Sequence, residues 1–264
     1  MANPLVALSL LALCAAATAF SAPSRAVGSR VARGAVHMAD DKAVVQQYFN
    51  TEGFDRWNRI YSEDGEVNSV QKDIRNGHQQ TVDKILTWID ADANIAGQTI
   101  CDAGCGVGSL ALPLAMRGAK VTASDISDAM VEEAARRAQA MGGLKVQPAF
   151  SQSDLSALSG RYDTVTCVDV MIHYPTEEMA GMVRHLASLA DKRLIISFAP
   201  KTWYYDLLKK VGELFPGPSK TTRAYLHPED EVVKALEASG FTIQRTEMTG
   251  TNFYFSRLLE AVRA

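Results

Sequence analysis

From residue 97 onward the chain alternates short apolar runs with stretches whose apolar residues recur at helical spacing. Ile100 to Ala103 reads as a first strand and Ser109 to Arg117 as the helix behind it. Lys120 to Asp125 is a second strand, Asp128 to Met141 a helix capped by Ser127 or Asp128, and Leu144 to Phe150 a third strand. Tyr162 to Val168 is the fourth strand, Glu177 to Leu189 the helix after it, and Leu194 to Phe198 the fifth strand. Strands alternating with helices imply an α/β domain with a mostly parallel, doubly wound sheet. Phe241 to Met248 and Phe253 to Val262 read as two neighbouring strands around Thr249-Gly250-Thr251-Asn252, a terminal hairpin on that sheet. Ahead of it lie helical spacings over Asp41 to Phe49, Phe54 to Tyr61 and Val70 to Ile89, which make an N-terminal helical arm over 40–96. The sheet domain takes 97–264. It contains a long aromatic linker at about 200–226, with Pro216-Gly217-Pro218, that suits a lid.

Composition narrows this little. The chain has 264 residues, 47% hydrophobic and 22% charged, with a net charge of -3, so one α/β domain with additions fits and no basic excess marks a nucleic-acid binder. Cys101 and Cys105 have a C-x3-C spacing, but no second Cys/His pair follows and no protein-bound metal is expected. The first 39 residues change the picture more. Leu5 to Phe20 is apolar and closes on Ala17-Thr18-Ala19, a signal-peptide pattern. Behind it runs a Ser/Arg/Ala-rich stretch with Arg25, Arg30 and Arg33 and no acid before Asp40, which is transit-peptide chemistry. The Phe20 context resembles the bipartite presequences of algae whose plastids lie inside the ER. Removal of residues 1–39 leaves 24 basic against 30 acidic residues.

The chemistry centres on Asp102-Ala103-Gly104-Cys105-Gly106-Val107-Gly108. A dinucleotide fingerprint, G-x-G-x-x-G/A, needs Gly or Ala at position 109, and the residue is Ser109. Asp102 stands two residues before the first glycine, where an acid suits an amino group or a sulfonium rather than a pyrophosphate. Asp125 ends the second strand, where a carboxylate accepts ribose hydroxyls, and Asp154 follows the third, within reach of an exocyclic amine. Each acid alone reads equally as a loop residue or helix cap. Three acids at three successive strand ends share one crevice.

These residues resemble the class I S-adenosylmethionine-dependent methyltransferases, with their D/E-x-G-x-G-x-G turn and an acid after the second strand. That resemblance implies a Rossmann-like sheet of seven strands ending in the antiparallel hairpin. It implies S-adenosylmethionine as methyl donor, held by Asp102, Gly104, Gly106, Gly108, Asp125, Ile126, Asp154, Leu155 and Val168. A narrower resemblance rests on Val45 to Phe49, Gly53 to Trp57, Ile60-Tyr61, Val67 to His78, the block Val168-Asp169-Val170-Met171-Ile172-His173-Tyr174-Pro175, and Phe198 to Thr202. Those blocks are similar to the magnesium-protoporphyrin IX O-methyltransferases, which methylate a propionate of Mg-protoporphyrin in chlorophyll synthesis. Ser62 departs from that pattern, where glycine is expected. The family implies a plastid enzyme whose magnesium belongs to the substrate. Magnesium chelatase and the next cyclase step are its implied partners, and a peripheral membrane contact goes with them.

A carboxylic acid with a pKa of about 4.5 is already ionised at neutral pH, so methyl transfer to it needs alignment and exclusion of water rather than a strong base. His173, just past the fourth strand, is expected to hold the propionate or, less necessarily, to act as base; otherwise it is a core histidine. Tyr48 on the arm is the second catalytic expectation. Arg75 and His78 face cofactor or porphyrin, with Arg75 preferred because a guanidinium matches a carboxylate. Tyr174 and Trp203 are further expected substrate contacts, and Trp57, Tyr204, Tyr205 and Phe215 are candidates to cover the porphyrin plate. The competing readings are a quinone or other small-molecule methyltransferase, and a non-catalytic cofactor-binding regulator.

Overall fold

A computed structural model describes residues 43–61, 67–92, 94–201 and 225–264. The presequence, Ser62, Trp203, Tyr204, Tyr205, Phe215 and most of the lid segment lie outside the described residues. Helix α1 covers 43–50, followed by α2 (Glu52–Ile60) and α3 (Ser69–Asp92). Then come β1 (Thr99–Ala103), α4 (Ala111–Met116), β2 (Lys120–Asp125), α5 (Asp128–Ala140), β3 (Ala149–Gln152) and β4 (Tyr162–Cys167). The chain closes with α6 (Thr176–Leu189), β5 (Ala190–Phe198), α7 (Glu229–Glu237), β6 (Phe241–Gly250) and β7 (Phe255–Arg263). One sheet has the order β3-β2-β1-β4-β5-β7-β6, with β7 antiparallel to both β5 and β6. The expected doubly wound sheet of seven strands with its C-terminal antiparallel hairpin is present.

Alternation along the strands explains why both faces are covered. Ile100, Ile195 and Leu258 point to one face, packed by Val82, Ile85 and Ile89 of α3 and Leu114 of α4. Cys101, Leu194, Ile196 and Leu259 point to the other, against α6 and α7. The third helix of the arm is therefore a layer of the core. Its C-terminal end is tied down by Asp92, which accepts from Arg245 on β6 and Arg193 on β5, and both arginines flank the fully buried Glu260.

Several elements differ from the pattern reading, β5 among them, which begins at Ala190 rather than Leu194. β3 begins at Ala149, not Leu144, because only Ala149 to Gln152 pair with Thr122 to Asp125, and Gly143 (φ +82) turns the chain before that. α4 begins at Ala111, two residues after the expected start, because Gly108 takes φ +87. α7 was not expected. Pro228 at its N-cap, three acids in its first turn, and buried Val232 and Leu236 one turn apart are its signals.

The arm is fastened to α5. Ser127, the N-cap of α5, takes the Met130 N–H at 3.2 Å and lies 3.0 Å from the Phe49 carbonyl and 2.6 Å from Asn50 Oδ1. Arg137, further along α5, donates to the Tyr61 carbonyl (2.9 Å) and to Asn58 (2.7 Å). This lays the aromatic face of α1 and α2 over the carboxyl ends of the strands.

Candidate active site

The first half of the site is made largely of main chain. The Gly104 and Cys105 N–H groups both donate to the Ser124 carbonyl, at 2.7 and 2.8 Å, fixing the glycine turn to the end of β2. Gly104 has φ +81, and a Cβ there would stand 2.2 Å from Val170 Cγ2, so both the torsion and the space demand glycine. Gly106 is the reverse case. Its φ is +52, yet a Cβ would meet nothing within 4 Å, so this part of the turn faces an open cleft. Its N–H donates to Asp125 Oδ2 (2.9 Å), and Ser127 N–H donates to Oδ1 (3.0 Å). Asp125 is thereby pinned while each oxygen keeps acceptor capacity for a hydroxyl. Burial pushes its pKa up, against the hydrogen bonds it accepts.

Asp102 is buried at 3% exposure and accepts from Thr166 Oγ1 at 2.7 Å. Burial pushes its pKa up to about 6, opposed by the Thr166 hydrogen bond and reinforced by the charge of Asp125. A buried carboxylate of this kind is relieved by a cation, and a sulfonium nucleotide with an amino group supplies one. The donor set and the open face of Gly106 therefore fit S-adenosylmethionine. Asp154 caps the short turn Leu155–Ala157, accepting from Ser156 N–H at 2.8 Å and from the Ser156 hydroxyl. Leu155 and Val168 turn their side chains into the two core clusters, and the Ile126 carbonyl accepts from Gln152 (3.1 Å).

The second half is made of side chains brought from far apart. His173 ends a single 3-10 turn, Met171–His173, that follows β4. That turn is held by the segment that begins at Tyr225: Tyr225 N–H donates to the Ile172 carbonyl and His227 Nε2 to the Met171 carbonyl, both at 2.8 Å. Burial pushes the His173 pKa down to about 4 against the pull of Asp169, so the imidazole is neutral at neutral pH. Its Nδ1 is buried and has no hydrogen-bond partner. Phe49 meets its ring edge-on at 5.3 Å, and a row of aromatics runs on from Phe49 to Trp57 (6.4 Å) and Tyr61 (5.5 Å further).

The other expected residues fall as follows. Tyr48 lies one residue from this contact, edge-on to Phe49 at 5.2 Å, and packs over Gly53. Arg75 donates to the Ile60 carbonyl (2.5 Å) and the Arg59 carbonyl (2.8 Å), joining the end of α2 to α3. Tyr174 is buried in the core beneath α6, and Trp203 is outside the described residues.

Sequence reasoning passed over Asp169, although it stands in the quoted block Val168 to Pro175. Its backbone takes φ +60, a left-handed conformation rare outside glycine. Its carboxylate receives His78 Nδ1 (2.8 Å), the Tyr254 hydroxyl (2.7 Å), Ser197 Oγ (2.9 Å) and Ser256 Oγ (3.2 Å). Burial alone raises its pKa, but these partners hold it below the usual carboxylate range. Tyr254 reaches Asp169 across Gly77 of α3, where a Cβ would stand 2.4 Å from the ring. That explains a glycine in mid-helix at a cost of about 1 kcal/mol. The His78 ring lies 4.6 Å from that of Tyr61, whose hydroxyl pKa burial pushes up.

Among the described residues no group of three or more His, Cys, Asp or Glu side chains is placed to hold a metal ion, and no helix is long and apolar enough to cross a membrane. A family described as "Magnesium-protoporphyrin IX methyltransferase C-terminus" matches residues 167–263, and a general methyltransferase-domain family matches 100–192. The magnesium-protoporphyrin O-methyltransferase of Synechocystis sp. is 61% identical over 225 residues, 85% of this chain and 97% of its own length. The chloroplastic magnesium protoporphyrin IX methyltransferase of Arabidopsis thaliana is 58% identical over 222 residues, 84% of this chain and 71% of its own length. The crystal structure of magnesium protoporphyrin IX methyltransferase from Synechocystis PCC 6803 with bound SAH superposes with a TM-score of 0.79. It shares 59% identity and covers 84% of this chain and 100% of that one.

Proposed function

The chain belongs to the magnesium-protoporphyrin IX methyltransferase family, and on that premise we propose how its own residues carry out the transfer of a methyl group from S-adenosylmethionine to a propionate carboxylate of Mg-protoporphyrin IX. The observation that carries the proposal is His173, neutral, buried and with Nδ1 unpartnered, at the strand end beside the cofactor half. When bound, S-adenosylmethionine supplies a methyl group on a cationic sulfur. Asp102 offsets that positive charge, Asp125 holds the ribose, and the open face of Gly106 lets the main chain approach the ligand. His173 donates a hydrogen bond from Nδ1 to one propionate oxygen and leaves the other in line with the methyl carbon. One C–O bond forms and one C–S bond breaks, and no proton moves. A base is therefore unnecessary, and a histidine held neutral suits orientation better than proton abstraction. Phe49, Trp57 and Tyr61 exclude water from the nucleophile and supply an apolar wall for the macrocycle. Tyr48 and Arg75 act at one remove, through the packing of the arm.

We place the enzyme in the plastid, as the name of the Arabidopsis relative and the Arg-rich, acid-free segment behind the apolar leader both favour. Magnesium chelatase, the following cyclase step and a peripheral membrane contact are the partners this reading implies. The test is to incubate the purified protein with labelled S-adenosylmethionine and Mg-protoporphyrin IX and to look for the labelled monomethyl ester. Cofactor binding without ester would overturn the substrate assignment.

A further inference from the structure

We propose that Arg56 and Trp57 form a carboxylate-binding pair on α2 that holds the porphyrin propionate that is not methylated. The inference rests on the function proposed above and adds a second anchoring point to it. Arg56 Nε and Trp57 Nε1 are both buried, and neither has a hydrogen-bond partner. Their protonation is not in question: an indole N–H only donates, and a guanidinium only donates and is always charged. Two buried donors without acceptors are costly unless a ligand completes them. The guanidinium makes that ligand an anion, and two donors suit the two oxygens of a carboxylate.

The Arg56 guanidinium carbon stands 5.9 Å from the centroid of the Trp57 ring, a cation-π contact that keeps the cation beside the indole. Both residues lie on the side of α2 marked by buried Gly53 and Ile60, one turn away on either side. The neighbouring arginines are engaged within the protein, Arg75 by the Ile60 and Arg59 carbonyls and Arg137 by the Tyr61 carbonyl and Asn58. Arg56 has no ion pair among the described residues. Trp57 stacks on Tyr61 at 5.5 Å and lies 6.4 Å from Phe49, whose ring meets His173. The pair therefore stands on the wall that starts at His173, one ring along from Phe49. The two propionates of the substrate sit on neighbouring pyrroles of one plate. With one carboxylate at His173, the other is carried along that wall. A fixed site for it sets which of two chemically alike acids meets the methyl group, so the pair acts on selectivity as well as affinity.

Arg56→Met removes the charge and keeps an apolar stem over the indole, and Trp57→Phe removes the N–H and keeps a ring in the stack. The probes are Mg-protoporphyrin IX and its analogue in which the propionate that is not methylated is replaced by an ethyl group. Each Kd is read from porphyrin fluorescence with the full chain. Arg56→Met should weaken binding of the diacid about ten- to a hundredfold and Trp57→Phe about three- to tenfold, while the Kd for the ethyl analogue changes by less than about twofold in both. Arg56→Lys restores a charge and should recover part of the loss. Equal losses for the two porphyrins would assign the pair to packing and overturn the proposal, as would no loss for either. The amino-acid end of the methyl donor is the other carboxylate brought to the site. A Kd for S-adenosylhomocysteine that rises in Arg56→Met, with that for methylthioadenosine unchanged, would give the pair to the cofactor and overturn the propionate assignment. Should the unmodified protein bind the diacid and make no ester, the function reading fails on its own account, and the two porphyrin affinities still decide the role of the pair.

Discussion

The two halves of the site solve the same problem, burying polar groups next to a ligand, in opposite ways. On the cofactor side the acids are engaged within the protein. Asp125 is pinned by two main-chain N–H groups and Asp102 by Thr166, and both stand within one turn of their strands. On the substrate side the nitrogens are left open, with His173 Nδ1, His78 Nε2 and Trp57 Nε1 all buried and unpartnered. The first half is preorganised by local backbone hydrogen bonds. The second is assembled from α1, α2, α3 and the segments on either side of residues 202–224, and it leaves buried nitrogens without partners. A mutation should therefore show itself in cofactor affinity on one side and in turnover on the other.

The sharpest attempt to break that division is His173→Ala. It is expected to lower kcat by about a hundredfold or more, with the Kd for S-adenosylhomocysteine by calorimetry unchanged within twofold; near-normal kcat would remove His173 from its role. Asp125→Ala should do the reverse, weakening cofactor binding by about ten- to a hundredfold, since a charge-assisted contact is worth roughly 1.5–3 kcal/mol. An unchanged Kd would take the ribose away from it. Gly77→Ala strikes the support of the substrate half. The new methyl displaces Tyr254 from Asp169, at about 1–3 kcal/mol of overpacking, less about 1 kcal/mol gained in helix propensity. The melting temperature and porphyrin turnover should fall while cofactor affinity holds. The smallest effect is a pH dependence. Asp102, with its pKa raised to about 6, is protonated as pH falls through that value, so its carboxylate is lost to the cationic donor on the acid side. Folding has the opposite sign for this group, because a raised pKa makes the ionised form the costly one in the folded state. Affinity for S-adenosylmethionine should drop about fourfold between pH 7.5 and 5.5 from Asp102 alone, and Asp102→Asn should flatten that part of the profile.

How much was legible beforehand follows the same line. The glycine turn, Asp102 and Asp125 could be read because their partners are near in sequence or occupy the same strand end. Asp154 shows why the reading is incomplete: its side chain is occupied with Ser156, the cap that an acid after a strand equally well forms. Arg75 was preferred to His78 on charge, yet its guanidinium reaches the carbonyls that close α2. Nothing local distinguishes a side chain aimed at a ligand from one aimed at a helix end. The cluster around Asp169 joins residues 78, 197, 254 and 256, and separations of that size leave no periodic trace. Gly77 was a trace of another kind, a glycine inside a helical pattern, explained only once Tyr254 is seen against it. α7 escaped because a single buried turn among acids is a weak signal.

Ser127 belongs to both halves. Its main chain donates to Asp125, and its hydroxyl lies 3.0 Å from the carbonyl of Phe49, whose ring covers His173. The consequence is mechanical: a single residue links the end of the arm to the carboxylate at the end of β2, so a change at either is felt at the other.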